Sequence, residues 1–194
     1  MKDTLQDIVK HTHSLGFIDL VKIVGDDKTT EMEAMAEDRS VVVKSELKNP
    51  VTEFQGTFGM PNLSKLDILL KLPVYKDKAE ITVNKQERNG ATVPVGLHFE
   101  NDNKDFKNDY RFMNAEIVNE KLKSVKFRGV NWHVTIKPTM PDVQRLNFQA
   151  QANAEENVFT VSTDGDALKF KFGDASSHAG EFTFATGIQF FFFF

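Results

Sequence analysis

The chain has 194 residues, 40% of them hydrophobic, and carries 24 Lys and Arg against 28 Asp and Glu, a net charge of −4. This is ordinary globular composition for one large domain or two small ones, which excludes a disordered chain. No stretch reaches the roughly 20 apolar residues of a membrane helix. With no cysteine, disulfides, thiolate metal sites and cysteine nucleophiles are excluded. The acidic balance argues against a uniformly basic nucleic-acid binder but leaves a local basic surface open.

The opening residues read as a helix start and not as a charged leader before an apolar stretch. A helix is predicted from Thr4 to about Leu15, with Thr4 and Asp7 at capping-box spacing. Leu5, Ile8, Val9, Thr12 and Leu15 share one face, Gln6, Lys10 and His13 the other, and Gly16 supplies the stop. Strands follow at Ile18–Val24, Thr29–Ala36 and Val41–Leu47, the first two joined by a turn at Gly25-Asp26-Asp27. A second helix is predicted from Asn62, an N-cap residue, to Leu72, where Pro73 ends it. Leu63, Leu66, Leu69 and Leu70 form its apolar stripe, away from Ser64, Lys65 and Lys71. Strands at Ala79–Lys85, Ala91–Phe99 and Tyr110–Met113 come next. Asn101–Lys126, rich in Asn, Asp and Lys, reads as an insertion or a connector between two domains.

The third helix is predicted from Pro141 to Ala154, opened by Thr139 and Asp142 at capping spacing with Pro141 in the first turn. Val143, Leu146 and Ala150 are expected to face inward and Arg145, Gln149 and Asn153 outward. Strands at Val158–Thr163, Leu168–Phe172 and Glu181–Ala185 close the pattern. Asp164-Gly165 signals a tight turn, and Leu168, Phe170 and Phe172 alternate with Lys169 and Lys171 as in a half-buried strand. Helix starts near residues 4, 62 and 140 describe a helix-plus-strands unit repeated three times, with the connector lengthening the second interval. A fourth unit would begin beyond the last residue. The closing run Phe190 to Phe194 cannot follow a strand's alternation, and residues 189–194 read as a non-native tail.

No catalytic centre is legible. His11 and His13 diverge on a helix and cannot share one ion. Asp102-Asn103-Lys104-Asp105 lacks the spacing of a calcium loop. Asp174, Ser176, Ser177 and His178 crowd one short loop, where triad geometry is rarely reached. Phosphate-binding, dinucleotide and nucleophile-elbow motifs are absent. No metal and no cofactor is expected, and the protein reads as a non-enzyme. Charge, however, is uneven: Lys104 to Lys137 holds eight Lys and Arg against four Asp and Glu, and Ala154 to Ile188 two against six.

Four segments carry a family resemblance: the helix opening at Lys2-Asp3-Thr4; Phe58 to Leu72 followed by Lys78 to Val83; Glu116 to Lys123; and Phe170 to Phe182. Through these the chain resembles, up to about Ile188, the DNA polymerase processivity clamps of T-even-type bacteriophages and their marine relatives. The resemblance implies an α+β DNA-clamp fold of two similar domains built from repeated helix-plus-antiparallel-strand units. An N-terminal clamp domain would span 1–110 and a C-terminal one 111–188, the latter incomplete because the family has a further unit. It also implies a homotrimeric ring around duplex DNA, tethering the replicative DNA polymerase, placed by a clamp loader, in the cytoplasm of the infected bacterial host. Lys10, Lys65, Lys71 and Arg145 are then the inner-surface candidates by position on the repeat, with Lys2, Lys121 and Lys123 behind them. The alternative is a non-catalytic phage structural or assembly protein of mostly antiparallel sheet.

Overall fold

A computed structural model describes residues 1–75, 79–88, 90–123, 132–174, 176 and 178–188. The chain divides at residue 126 into two compact units. The division expected at residue 110 lies inside a paired strand, and the first unit runs on past it. The expected tail at 189–194 lies outside the described residues.

In the first unit, α1 (Lys2–His11) leads into strands β1 (Leu20–Gly25), β2 (Thr30–Met35) and β3 (Val42–Glu46). Strand β4 (Gly56–Pro61) returns to pair with β1, giving an antiparallel sheet of order β3-β2-β1-β4. Helix α2 (Leu63–Lys71) opens the second repeat, and β5 (Glu80–Arg88), β6 (Ala91–Glu100) and β7 (Lys107–Arg111) form its antiparallel sheet. Side by side, α1 and α2 send Leu5, Ile8, Val9, Leu63, Leu66, Leu69 and Leu70 into one core with Val21, Ile23, Phe58, Met60, Leu97 and Phe99. Strand alternation explains the sheet half of that core: β1 buries every second residue, and Lys22 on its other face reaches Glu33 at 3.2 Å. The turn at Asp26 is closed by its carboxylate, which accepts the Lys28 and Thr29 backbone N–H groups at 2.7 Å each.

Two elements of this unit do not follow from the sequence pattern. One is β4. The other is α3 (Ala115–Lys121), capped by the Asn114 side chain, which accepts the Ile117 N–H at 2.9 Å. The segment read as an insertion or a connector, with a strand at Tyr110–Met113, thus contains a hairpin turn, a strand that lies earlier, at Lys107–Arg111, and an unexpected helix. Phe58 and Met60 of β4 point into the core, so Gly59 points the other way; a Cβ on Gly59 would lie 2.8 Å from Val118 of α3. Helix α3 therefore packs over β4 on the sheet face that α1 and α2 leave open.

The first helix also differs from expectation. It starts at Lys2 after Met1, and no side chain caps it, so the Thr4–Asp7 capping box does not form. It ends at His11; a 3₁₀ turn, His13–Leu15, follows and stops at Gly16 with φ of 87°. Thr12 is fully buried, its hydroxyl donating to the Ile8 carbonyl at 2.6 Å, whereas Leu15 is exposed.

The second unit holds α4 (Met140–Ala152) and the antiparallel strands β8 (Phe159–Asp164), β9 (Ala167–Phe172) and β10 (Gly180–Ala185), in order β10-β9-β8. The expected capping box is present: Thr139 and Asp142 exchange side-chain and backbone bonds, with Pro141 in the first turn. Asp164 pairs with Ala167 across a two-residue turn, where Gly165 has φ of 57°. Leu168, Phe170 and Phe172 of β9 turn inward to meet Phe182, Phe184 and Ile188.

The inward side of α4 is a correction. Val143 and Ala150 are exposed, Leu146 and Gln149 half-buried, and Asn153 buried. The Asn153 amide donates to the Gln149 carbonyl at 2.8 Å, and both side chains lie over Gly180, whose lack of a Cβ makes room for them. A polar pair that satisfies itself and meets bare backbone can occupy the inward line that hydrophobic periodicity assigned to Val143 and Ala150.

Candidate nucleic-acid interface

Three helices share one design: an inward line on the sheet and an exposed outer face. Written in register, Leu5, Leu66 and Leu146 correspond, as do Ile8, Leu69 and Gln149, then Val9, Leu70 and Ala150, the last exposed where its counterparts are buried. The predicted cations then fall on two rows. One row is Lys10, Lys71 and Gln151; the other is Thr4, Lys65 and Arg145. Every cation of both rows is exposed, as expected of residues off the apolar stripe.

Their surroundings differ. Lys10 and Lys65 make no ion pair with any described residue. Lys71 donates to Asp67, one turn earlier, at 2.6 Å. The Arg145 guanidinium lies over the Phe182 ring, 5.5 Å from its centre, a cation–π contact that holds the side chain along the flank of α4. Acids share these faces: Asp3 and Asp7 are exposed beside Lys10, with Asp7 3.2 Å from His11. The outer face of α4 adds the amides Gln144, Asn147 and Gln151, all exposed. The faces of α1 and α2 in the first unit are thus mixed in sign, and that of α4 in the second is rich in hydrogen-bonding amides. Each can meet phosphates at a few points, weakly where acids dilute the cations.

The remaining candidates lie elsewhere. The Lys2 ammonium donates to the Tyr75 carbonyl and is half-buried, which makes it a tie between α1 and the chain after α2. Lys121 ends α3 and Lys123 follows it; both are exposed, but α3 lies on the sheet face opposite α1 and α2. The structure does not bring them together with the lysines of the helix rows.

Other polar clusters serve the fold. Across β6 and β7, His98 Nδ1 is 2.9 Å from Asp109 and its Nε2 3.4 Å from Glu100, which Lys107 also meets at 3.1 Å. The bond to Asp109 raises the His98 pKa above its ordinary value, burial opposing and Glu100 adding to the rise. In the Asp174 loop the carboxylate accepts the Ser176 N–H at 2.7 Å and hydroxyl at 2.6 Å, which closes a turn; Ser177 lies outside the described residues. Among the described residues no group of three or more His, Cys, Asp or Glu side chains could hold a metal ion. No helix among them is long and apolar enough to cross a membrane.

No protein-family model matches the sequence, and no curated protein does. Solved structures do. The chain is similar to PCNA from Thermococcus kodakaraensis, with a TM-score of 0.61 and 14% identity, over 94% of this chain and 70% of that one. It is also similar to the Helicobacter pylori beta clamp in complex with diflunisal, with a TM-score of 0.45 and 12% identity, over 94% of this chain and 52% of that one. The fold is the DNA-clamp fold, mixed helix and antiparallel sheet in repeated units.

Proposed function

We propose that this clamp-fold protein is a sliding clamp. Copies of the chain, three in the favoured arrangement, close a ring around duplex DNA and tether the replicative DNA polymerase. In this reading a clamp loader places the ring on DNA, and the setting is viral replication in the cytoplasm of an infected bacterium. The observation that carries the reading is the pair of cationic rows, Lys10 with Lys71 and Lys65 with Arg145, recurring in register on the exposed faces of helices in a clamp fold. Cations that face phosphates bind without regard to sequence, because the favourable term is counterion release. Faces diluted by Asp3, Asp7 and three amides keep that contact weak, as a protein that must travel along DNA requires. A chain of this size cannot enclose a duplex alone, so head-to-tail copies must close the ring.

A non-catalytic phage structural protein would account for the sheets, but it gives no reason for cations at matching positions of successive helices. Binding to short linear duplexes tests the reading. It is expected to be weak, indifferent to sequence and steeply salt-dependent, and to fall further in a Lys10→Glu, Lys65→Glu variant that keeps its helical signal. Tight, sequence-selective binding would make the protein an ordinary DNA-binding module.

A further inference from the structure

Equivalent positions of α1, α2 and α4 differ in charge, and the difference one turn before the cation bears most directly on DNA contact. The row Lys10, Lys71 and Gln151 is preceded, one helical turn earlier, by Gln6, Asp67 and Asn147. Lys10 stands above a neutral amide and makes no ion pair with a described residue. Lys71 stands above a carboxylate and is held by it at 2.6 Å. Gln151 carries no charge at all. The Asp67 side chain is 23% exposed and Lys71 71% exposed, so the acid is the more buried partner and the ammonium the one open to solvent. An acid one turn before a lysine is the favourable orientation for such a pair.

We propose that Asp67 is a positioning residue that attenuates Lys71: by holding the ammonium on the helix it makes a phosphate compete with a resident carboxylate. This rests on the sliding-clamp reading, under which these faces meet DNA. The three repeats then contribute unequally to the grip: Lys10, near Asp7 but not paired with it, more than Lys71, and Gln151 only through neutral hydrogen bonds. A phosphate that displaces Asp67 gains one ion contact while another is lost, so the net gain at Lys71 is smaller than at Lys10. Fewer released counterions mean a shallower salt dependence as well as weaker binding. Such grading lowers the cost of moving from one phosphate to the next.

Asp67→Gln converts the α2 pair into the Gln6–Lys10 arrangement, with Asp67→Asn as a second variant should the first perturb the helix. Equilibrium binding of the full chain to a duplex of about 20 base pairs, from about 50 to 200 mM salt, reads the effect. Asp67→Gln is expected to tighten binding about two- to fivefold at the lowest salt and to steepen the log–log salt slope by up to about 0.9, the value of one phosphate contact. With Lys71→Gln already in place, the same substitution should leave the slope unchanged and give only the through-space gain of removing one negative charge. Lys71→Gln alone should weaken binding less than Lys10→Gln. Equal gains in both backgrounds, or no gain while the wild type binds DNA, would overturn the attenuator. Absence of duplex binding by the wild type and every variant would overturn this inference; the clamp reading falls separately, to equal retention of the protein on circular and linear DNA.

Discussion

The two units use one building plan to different depth. In the first, two helix-plus-strands repeats share a core, and Leu5, Val21, Ile23, Phe54, Met60, Leu63, Leu66, Leu97 and Phe99 are wholly buried. In the second, a single repeat gathers Leu168, Phe170, Phe172, Phe182, Phe184 and Ile188, each still 3–9% exposed. Every residue of β8 is exposed, with Phe159 at 48% and Val161 at 47%, and no residue of α4 is buried. A helix laid on a three-stranded sheet covers part of one face. A second copy of the same plan turns that partial cover into a core, because each repeat supplies apolar surface that the other lacks.

The comparison breaks most visibly at close-packed backbone. A Cβ on Gly25 would lie 1.7 Å from the Phe54 carbonyl oxygen, a contact with main chain that cannot give way. Gly25→Ala is expected to cost about 4 kcal/mol or more, seen as loss of the first unit's hydrogen-exchange protection while that of the second persists. Next come the corresponding leucines. Leu66→Ala, at a wholly buried site, should cost about 3 kcal/mol by urea unfolding, and Leu146→Ala, at a half-buried one, about 1 kcal/mol. Equal costs would show that the second unit buries its helix as deeply as the first, and the contrast between the units would fall. Thr139→Ala removes the hydroxyl half of the α4 capping box and leaves the backbone N–H of residue 139 donating to Asp142; it should cost about 1 kcal/mol, lowering protection in α4 and leaving β1 untouched.

The smallest effect is a pH dependence confined to the first unit. His98 has its pKa raised above 6.5 by Asp109. A raised folded-state value means that the imidazolium stabilises the fold fully below about pH 6.5 and that the contribution is lost as pH rises through the higher folded value. Screening at this partly exposed site keeps it under about 0.5 kcal/mol. Melting of the first unit should therefore fall slightly between about pH 6 and pH 8 in the wild type relative to a His98→Asn variant. A rise over that window would reverse the assigned sign.

Much of this architecture is legible in the sequence where a local device dictates the outcome. Asn62 caps α2 through its side chain, Thr139 and Asp142 cap α4, and Gly16 stops the first helical segment, each as its chemistry requires. All the strands but β4 and β7 follow from alternation and turn residues; the sequence pattern places β7 at Tyr110–Met113, whereas it lies at Lys107–Arg111. Strand β4 is hidden because Gly56–Pro61 combines two glycines and a proline with a short apolar run, and its place depends on pairing with distant β1. Helix α3 is hidden because seven polar-rich residues carry almost no periodic signal, and Val118 becomes a core residue only through its contact over Gly59. The inward line of α4 departs from the pattern because Gln149 and Asn153 satisfy each other against a glycine, which apolar periodicity cannot register. At the site, helix periodicity placed Lys10, Lys65, Lys71 and Arg145 on exposed surface. It did not reveal the Asp67 pair, the Phe182 contact or the tie of Lys2 to Tyr75, all of which depend on side-chain geometry.

The sliding-clamp reading meets its most direct test in the topology of the DNA. The protein, placed on a nicked circular plasmid and freed of unbound material by gel filtration, should remain with the circle and leave within minutes once a single cut makes the DNA linear. Retention that is the same on circular and linear molecules of equal length would mean that contact and not enclosure holds the protein, and would contradict the sliding clamp.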